Sequence, residues 1–113
     1  MHEMSLVEGV RQLIEEAALR DGFTRVHSVR VEIGQLSGVE QSAFEFCFDL
    51  AMQDSPAAGA RLDIIATPGR GRCQQCGQES ALAAVYDPCE LCGAYSVEVI
   101  GGTSMRVIDL EVE

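Results

Sequence analysis

Four of the five cysteines fall into two copies of one pattern, Cys73-Gln74-Gln75-Cys76-Gly77 and Cys89-Glu90-Leu91-Cys92-Gly93, with twelve residues between Cys76 and Cys89. Two thiols three positions apart can turn toward a single ion, and a glycine after the second cysteine permits the positive φ that such a turn needs. Paired in this way, Cys73, Cys76, Cys89 and Cys92 have the ligand spacing of a tetrahedral four-cysteine zinc site. Four thiolates leave no coordination position open, so the zinc is expected to be structural. Redox dithiols, disulfides or a rubredoxin-type iron site would use the same residues, but spacing and a reducing compartment favour zinc. Cys47 stands apart and reads as a small core side chain.

The second feature is His2. Its imidazole is one residue from the α-amine and beside the Glu3 carboxylate, and Met1 is expected to be retained because a bulky residue follows it. The Met1 amine, deprotonated backbone amides and the imidazole can enclose an ion in a plane of nitrogens, a geometry suited to nickel(II) or copper(II) rather than zinc. The other histidine, His27, shares the parity of Val29, Val31 and Ile33 and is expected to be half-buried and hydrogen-bonded rather than a ligand.

Composition narrows what these groups can serve. With 113 residues, about 12 kDa and 47% apolar residues, the chain suits one compact domain carrying a small metal-stabilised module. Eighteen acidic residues face 8 basic ones, giving a formal charge of -10 that repels nucleic acid and anionic lipid alike. Every basic residue is Arg, so Schiff-base chemistry, a catalytic lysine and a lysine-containing phosphate loop are excluded. No run of residues is long and apolar enough to span a bilayer. The opening Met1-His2-Glu3 lacks the basic stretch and apolar core of a secretory signal, so a cytoplasmic location is expected.

The elements that must position these groups follow from periodicity. Leu6, Val10, Leu13, Ile14 and Ala17 mark a helix, with Ser5 and Glu8 as an apparent capping box and Gly22 as its C-terminal stop, leaving residues 1–4 outside. Val29, Val31 and Ile33 alternate along a strand that Gly34 ends. A second capping box, Ser37 to Glu40, precedes a helix whose buried face should carry Val39, Ala43, Phe46, Cys47, Leu50 and Ala51. Leu62, Ile64 and Ala66 form a second strand, and Ile108, Leu110 and Val112 one face of a last one. Residues 73–93 have too few large apolar side chains to fold without a metal.

A lone final strand needs a sheet to bury its apolar face. The expected fold is therefore α+β: a three-stranded antiparallel or mixed sheet covered by two helices, with a zinc-ribbon-like four-cysteine module inserted. Residues 1–68 and 98–113 would form the α/β domain, and 69–97 the module.

Taken together, the opening Met1-His2-Glu3-Met4-Ser5-Leu6, the stretch from Val29 to Glu40 with its Gly34-Gln35-Leu36-Ser37 motif, and the paired C-x-x-C resemble the HypA/HybF family of hydrogenase nickel-incorporation proteins. The similarity runs over the whole chain. One departure is Glu90, where many relatives have proline; here Pro88 precedes the pair instead.

The resemblance implies a nickel metallochaperone rather than an enzyme. It would help insert nickel into the large subunit of nickel–iron hydrogenase, with a urease role in some organisms. It implies His2 as nickel ligand, assisted by Glu3 and the Met1 amine, and Cys73, Cys76, Cys89 and Cys92 as zinc ligands. A HypB-type GTPase is the expected energy-coupled partner; urease maturation proteins and a second copy of the chain are further candidates. A different class of reading is an acidic zinc-ribbon adaptor that only bridges proteins and is indifferent to His2.

Overall fold

A computed structural model describes residues 2–113, the side chain of His2 excepted. Helix α1 (His2–Asp21) is followed by strand β1 (Val26–Gly34), helix α2 (Gln41–Ala51) and strand β2 (Arg61–Thr67). Three short strands, β3 (Arg70–Cys73), β4 (Glu79–Ala81) and β5 (Val97–Gly101), precede the final β6 (Met105–Val112). They form two three-stranded sheets, ordered β2-β1-β6 and β4-β3-β5. The first sheet is mixed, because β1 runs parallel to β2 across the α2 connection and antiparallel to β6. The architecture is the α+β arrangement with an inserted cysteine-bearing sheet that the sequence led us to expect.

Both helices lie against one face of the first sheet. Val7, Val10 and Ile14 of α1 meet Phe44, Cys47 and Phe48 of α2 and Val29, Val31 and Ile33 of β1 in the core. Burying a side chain of this size contributes about 1.5–3 kcal/mol. Arg11 ties the helices together: its guanidinium donates to the carbonyls of Ala51 at 2.7 Å and Gln53 at 2.8 Å, satisfying the open end of α2. The opposite sheet face is exposed and laced with charge pairs between residues directly opposite in register, Arg30 with Asp109 and Arg106 with Glu32.

Four local expectations change. First, α1 starts at His2, so Ser5 is inside the helix and is not its cap. Second, α2 is capped by Glu40 itself, whose carboxylate accepts from the N–H groups of Ser42 and Ala43 at 3.2 and 2.6 Å. The helix buries Phe44, Cys47 and Phe48; of the face expected from the sequence, Cys47, Val39 and Ala51 pack on the core, whereas Phe46 is 67% exposed and Leu50 46%.

Third, β-bulges break the period of two. His27 is the extra residue between the Val26–Val112 and Ser28–Glu111 pairs, so Ser28 turns inward and His27 outward, where its Nε2 meets Glu113 at 3.2 Å. Fourth, Ile108 is the extra residue on β6, so Met105 and Val107, with Leu110 beyond the bulge, pack on the core and Ile108 is left exposed. Among the described residues no helix is long and apolar enough to cross a membrane.

Candidate metal centre

The two C-x-x-C segments fold alike. In the first, Cys73 N–H donates to the Gln78 carbonyl at 3.0 Å and Gly77 N–H to the Cys73 carbonyl at 2.9 Å. In the second, Cys89 N–H donates to Ala94 at 2.7 Å and Gly93 N–H to Cys89 at 2.8 Å. Gly77 and Gly93 close these turns with φ of +75° and +79°, which side chains with a Cβ resist. Strand β3 carries Cys73 into the first turn, and the second faces it.

The four Sγ atoms all lie within 4.8 Å of one another, the one such grouping of potential metal ligands among the described residues. Cys73 Sγ is 3.6 Å from Cys92 Sγ, and Cys76 Sγ is 3.8 Å from Cys89 Sγ. A tetrahedron with metal–sulfur bonds of about 2.3 Å has edges of about 3.8 Å, so the donor set fits a four-coordinate ion. Cys73 and Cys89 are buried and Cys76 and Cys92 exposed, so the centre has one protected side and one open to water.

Backbone donors prepare the sulfurs for negative charge. Cys73 Sγ accepts from the N–H groups of Cys76 and Gln75, at 3.4 and 3.3 Å. These hydrogen bonds, that from Cys76 foremost, lower the Cys73 thiol to about 7. Cys89 is lowered likewise, by the N–H groups of Cys92 and Leu91. Neighbouring sulfurs push Cys92 up to about 12, against the pull of the Ala94 N–H. A divalent ion would resolve this uneven sharing by taking all four as thiolates.

Of the residues expected at the nickel site, Glu3 is in the first turn of α1, and its Oε2 accepts from the Glu40 N–H at 3.3 Å. The first turn of α1 is thereby joined to the cap of α2. His2 is the first helical residue; Met1, with the amine, and the His2 side chain lie outside the described residues. His27 is paired with Glu113 and, among the described residues, belongs to no grouping of metal-ligand side chains.

Between the two regions is a feature the motif Gly34-Gln35-Leu36-Ser37 signalled without revealing its purpose. Gln35 N–H donates to Thr67 at 2.8 Å and Leu36 N–H to Gly102 at 2.7 Å, while the Gln35 side-chain oxygen accepts from Gly69 at 3.1 Å. This segment thus clasps both crossings between the sheets. The crossings touch as backbone: a Cβ on Gly34 would collide with the Gly102 carbonyl, and one on Gly102 would stand 2.6 Å from the Pro68 oxygen.

Comparison with known proteins gives a match over residues 1–112 to the family described as hydrogenase/urease nickel incorporation, metallochaperone, HypA. The chain belongs to the HypA family. It is 55% identical over 113 residues, the full length of both proteins, to the hydrogenase maturation factor HypA of Albidiferax ferrireducens. It is 49% identical, again over both full lengths, to that of Cereibacter sphaeroides.

Two solved HypA structures share the fold. The solution structure of the nickel metallochaperone HypA from Helicobacter pylori superposes with a TM-score of 0.69 at 29% identity, covering 97% of this chain and 96% of that one. A second HypA solution structure gives 0.71 at 31% identity, covering 100% and 97%. As a HypA, this chain is a metallochaperone of hydrogenase maturation, not an enzyme. The sequence alone missed Gln35 and the Glu40 amide as organisers of the fold. For Gln35 the signal was the motif itself; for Glu40, no pattern distinguished an N-cap from the end of a capping box.

Proposed function

We propose that this HypA binds nickel(II) at its amino terminus through His2, with Glu3 and the Met1 amine assisting, and delivers it in the cytoplasm to the large subunit of nickel–iron hydrogenase. The observation that carries this reading is that the match to a nickel-incorporation family starts at residue 1, so it takes in Met1-His2-Glu3. Of the two imidazoles in the chain, His27 is engaged by Glu113, which leaves His2 for the metal.

The start of α1 supports the same reading. At the head of a helix the first N–H groups have no preceding carbonyl to donate to. The amides of His2 and Glu3 can therefore lose their protons to a metal without breaking the helical ladder. A cation at this end opposes the helix dipole by about 0.3–1 kcal/mol, which the negative charge of deprotonated amides offsets.

In this reading Cys73, Cys76, Cys89 and Cys92 hold a structural zinc. The chain divides into a nickel-binding α/β part, 1–68 and 98–113, and a zinc-binding module, 69–97, with β5 running on to Gly101 as the returning strand. Arg72 is occupied by Glu79 at 3.0 Å and Glu98 at 4.0 Å, which argues against a nucleic-acid-binding ribbon. With no lysine and no phosphate loop, the chain depends on a HypB-type GTPase for energy.

Equilibrium dialysis against nickel tests the proposal. The zinc-loaded wild type should bind nickel and His2→Ala should lose that binding; equal binding by the two would sink it.

A further inference from the structure

The four sulfurs of the cysteine centre differ in what can reach them. Cys73 and Cys89 are 2% and 3% exposed, whereas Cys76 and Cys92 open to water. Each open sulfur is close to a buried one of the other turn: Cys92 Sγ is 3.6 Å from Cys73 Sγ, and Cys76 Sγ is 3.8 Å from Cys89 Sγ. The centre thus holds two pairs, each with one sulfur that a small solute can meet and one that it cannot. The fifth thiol, Cys47, is buried in the core of the first sheet and lies outside the grouping.

The segment around these sulfurs depends on them. Between residues 69 and 97, Leu82 is the one buried apolar side chain apart from the cysteines. An ion held by four thiolates therefore takes the place of a core there. Loss of two thiolates leaves too little to hold it.

We infer that the four-cysteine centre is a site of oxidation by hydrogen peroxide, which strikes Cys92 and Cys76 and is resolved by Cys73 and Cys89 as two disulfides between the turns, with release of the metal. This rests on zinc being the ion bound. All four sulfurs are then thiolates, so access decides which of them a peroxide meets. The Cys92 sulfur takes one peroxide oxygen as the O–O bond breaks, giving a sulfenic acid and hydroxide. The Cys73 sulfur attacks that of Cys92; the S–S bond forms, the S–O bond breaks, and a second hydroxide leaves. Both hydroxides take protons from solvent to become water. Cys76 and Cys89 consume a second peroxide in the same way, and zinc departs with its oxidation state unchanged. Cellular thiols can return such disulfides to dithiols, so the loss is reversible. Peroxide would unmake the module while the core of the α/β part stays intact.

The test uses the full chain, zinc-loaded and free of nickel. Metal analysis before treatment fixes the zinc content, and a chain without zinc would overturn both the zinc assignment and this inference. Every later result bears on the oxidation alone. On titration with hydrogen peroxide, a chromogenic chelator should report the zinc released as two peroxides are consumed per chain. Non-reducing peptide mapping should join Cys73 to Cys92 and Cys76 to Cys89 and leave Cys47 a thiol, and dithiothreitol with zinc should restore the starting state. Combining Cys76→His with Cys92→His keeps two cysteines and two histidines for zinc but removes both open sulfurs, and should slow zinc release at least about tenfold. If that variant fails to hold zinc, the wild-type disulfide map decides. Zinc retained through excess peroxide, disulfides closed within a turn, oxidation to sulfinic or sulfonic acids without disulfides, or equal release from a zinc-loaded variant would each overturn the inference.

Discussion

Glu3 and Glu40, 37 positions apart, are joined by a hydrogen bond from the backbone N–H of Glu40 to the Glu3 carboxylate. The same Glu40 turns its own carboxylate to the N–H groups of Ser42 and Ala43. One residue thus caps α2 and anchors the first turn of α1, so the segment beside His2 is built on two helices rather than hanging from one.

The proposed nickel site includes the Met1 amine and should therefore be sensitive to its loss. Extending the chain before Met1 converts the amine to an amide and removes a strong donor, while zinc content and folding cooperativity should be retained. Nickel titration of native and extended protein checks this; equal affinities would exclude the amine as a ligand.

Protons compete for the same site. Affinity should fall as pH drops from about 8 to about 6, because the imidazole (pKa about 6.5) and α-amine (about 7.7 to 8) must both be unprotonated to ligate. A flat profile across that window would mean that neither group binds the metal.

The cysteine centre should show its own pH signature. In metal-free protein Cys73 is lowered to about 7, so its thiolate stabilises the fold at high pH and that contribution is lost as pH falls through this value. Zinc then has one proton fewer to displace at pH about 8 than at about 6. Calorimetry in buffers of different ionisation enthalpy counts the protons released; a constant number would show that no thiol is acidified.

Removing one sulfur separates the module from the rest. Cys76→Ser should release zinc and loosen residues 70–97, while α1 and α2 keep their core. Metal analysis and amide exchange measure the two effects, and full zinc occupancy in the variant would refute the assignment.

In the core, Phe44→Ala should cost about 3–5 kcal/mol, whereas Phe46→Ala should stay within about 0.5 kcal/mol. Urea denaturation distinguishes them. In the run Phe44-Glu45-Phe46-Cys47-Phe48 the sequence pattern placed Cys47 correctly but chose Phe46 where the helix buries Phe44 and Phe48 on either side of Cys47.

What the sequence revealed and what it hid differ in range. The four cysteines were legible because a metal site imposes its own spacing, and the order of helices and strands because burial is periodic. His27 and Ile108 were misread because a bulge inserts one residue and reverses parity beyond it, and nothing local marks where a partner strand skips a position. The role of Gln35 depended on two crossings, at Thr67–Gly69 and at Gly102, that are distant in sequence.

Those crossings also bear on how such a chain could have been assembled. Because Gly69 and Gly102 are in backbone contact, everything between them leaves and re-enters the α/β part at one point, as an appliance shares one wall socket. Splicing Gly69 to Gly102 would close the chain without stretching β1, β2 or β6, and a foreign four-cysteine unit with equally close ends could be grafted in. The contact between two glycines would thus let the cysteine-bearing segment be exchanged without disturbing the first sheet.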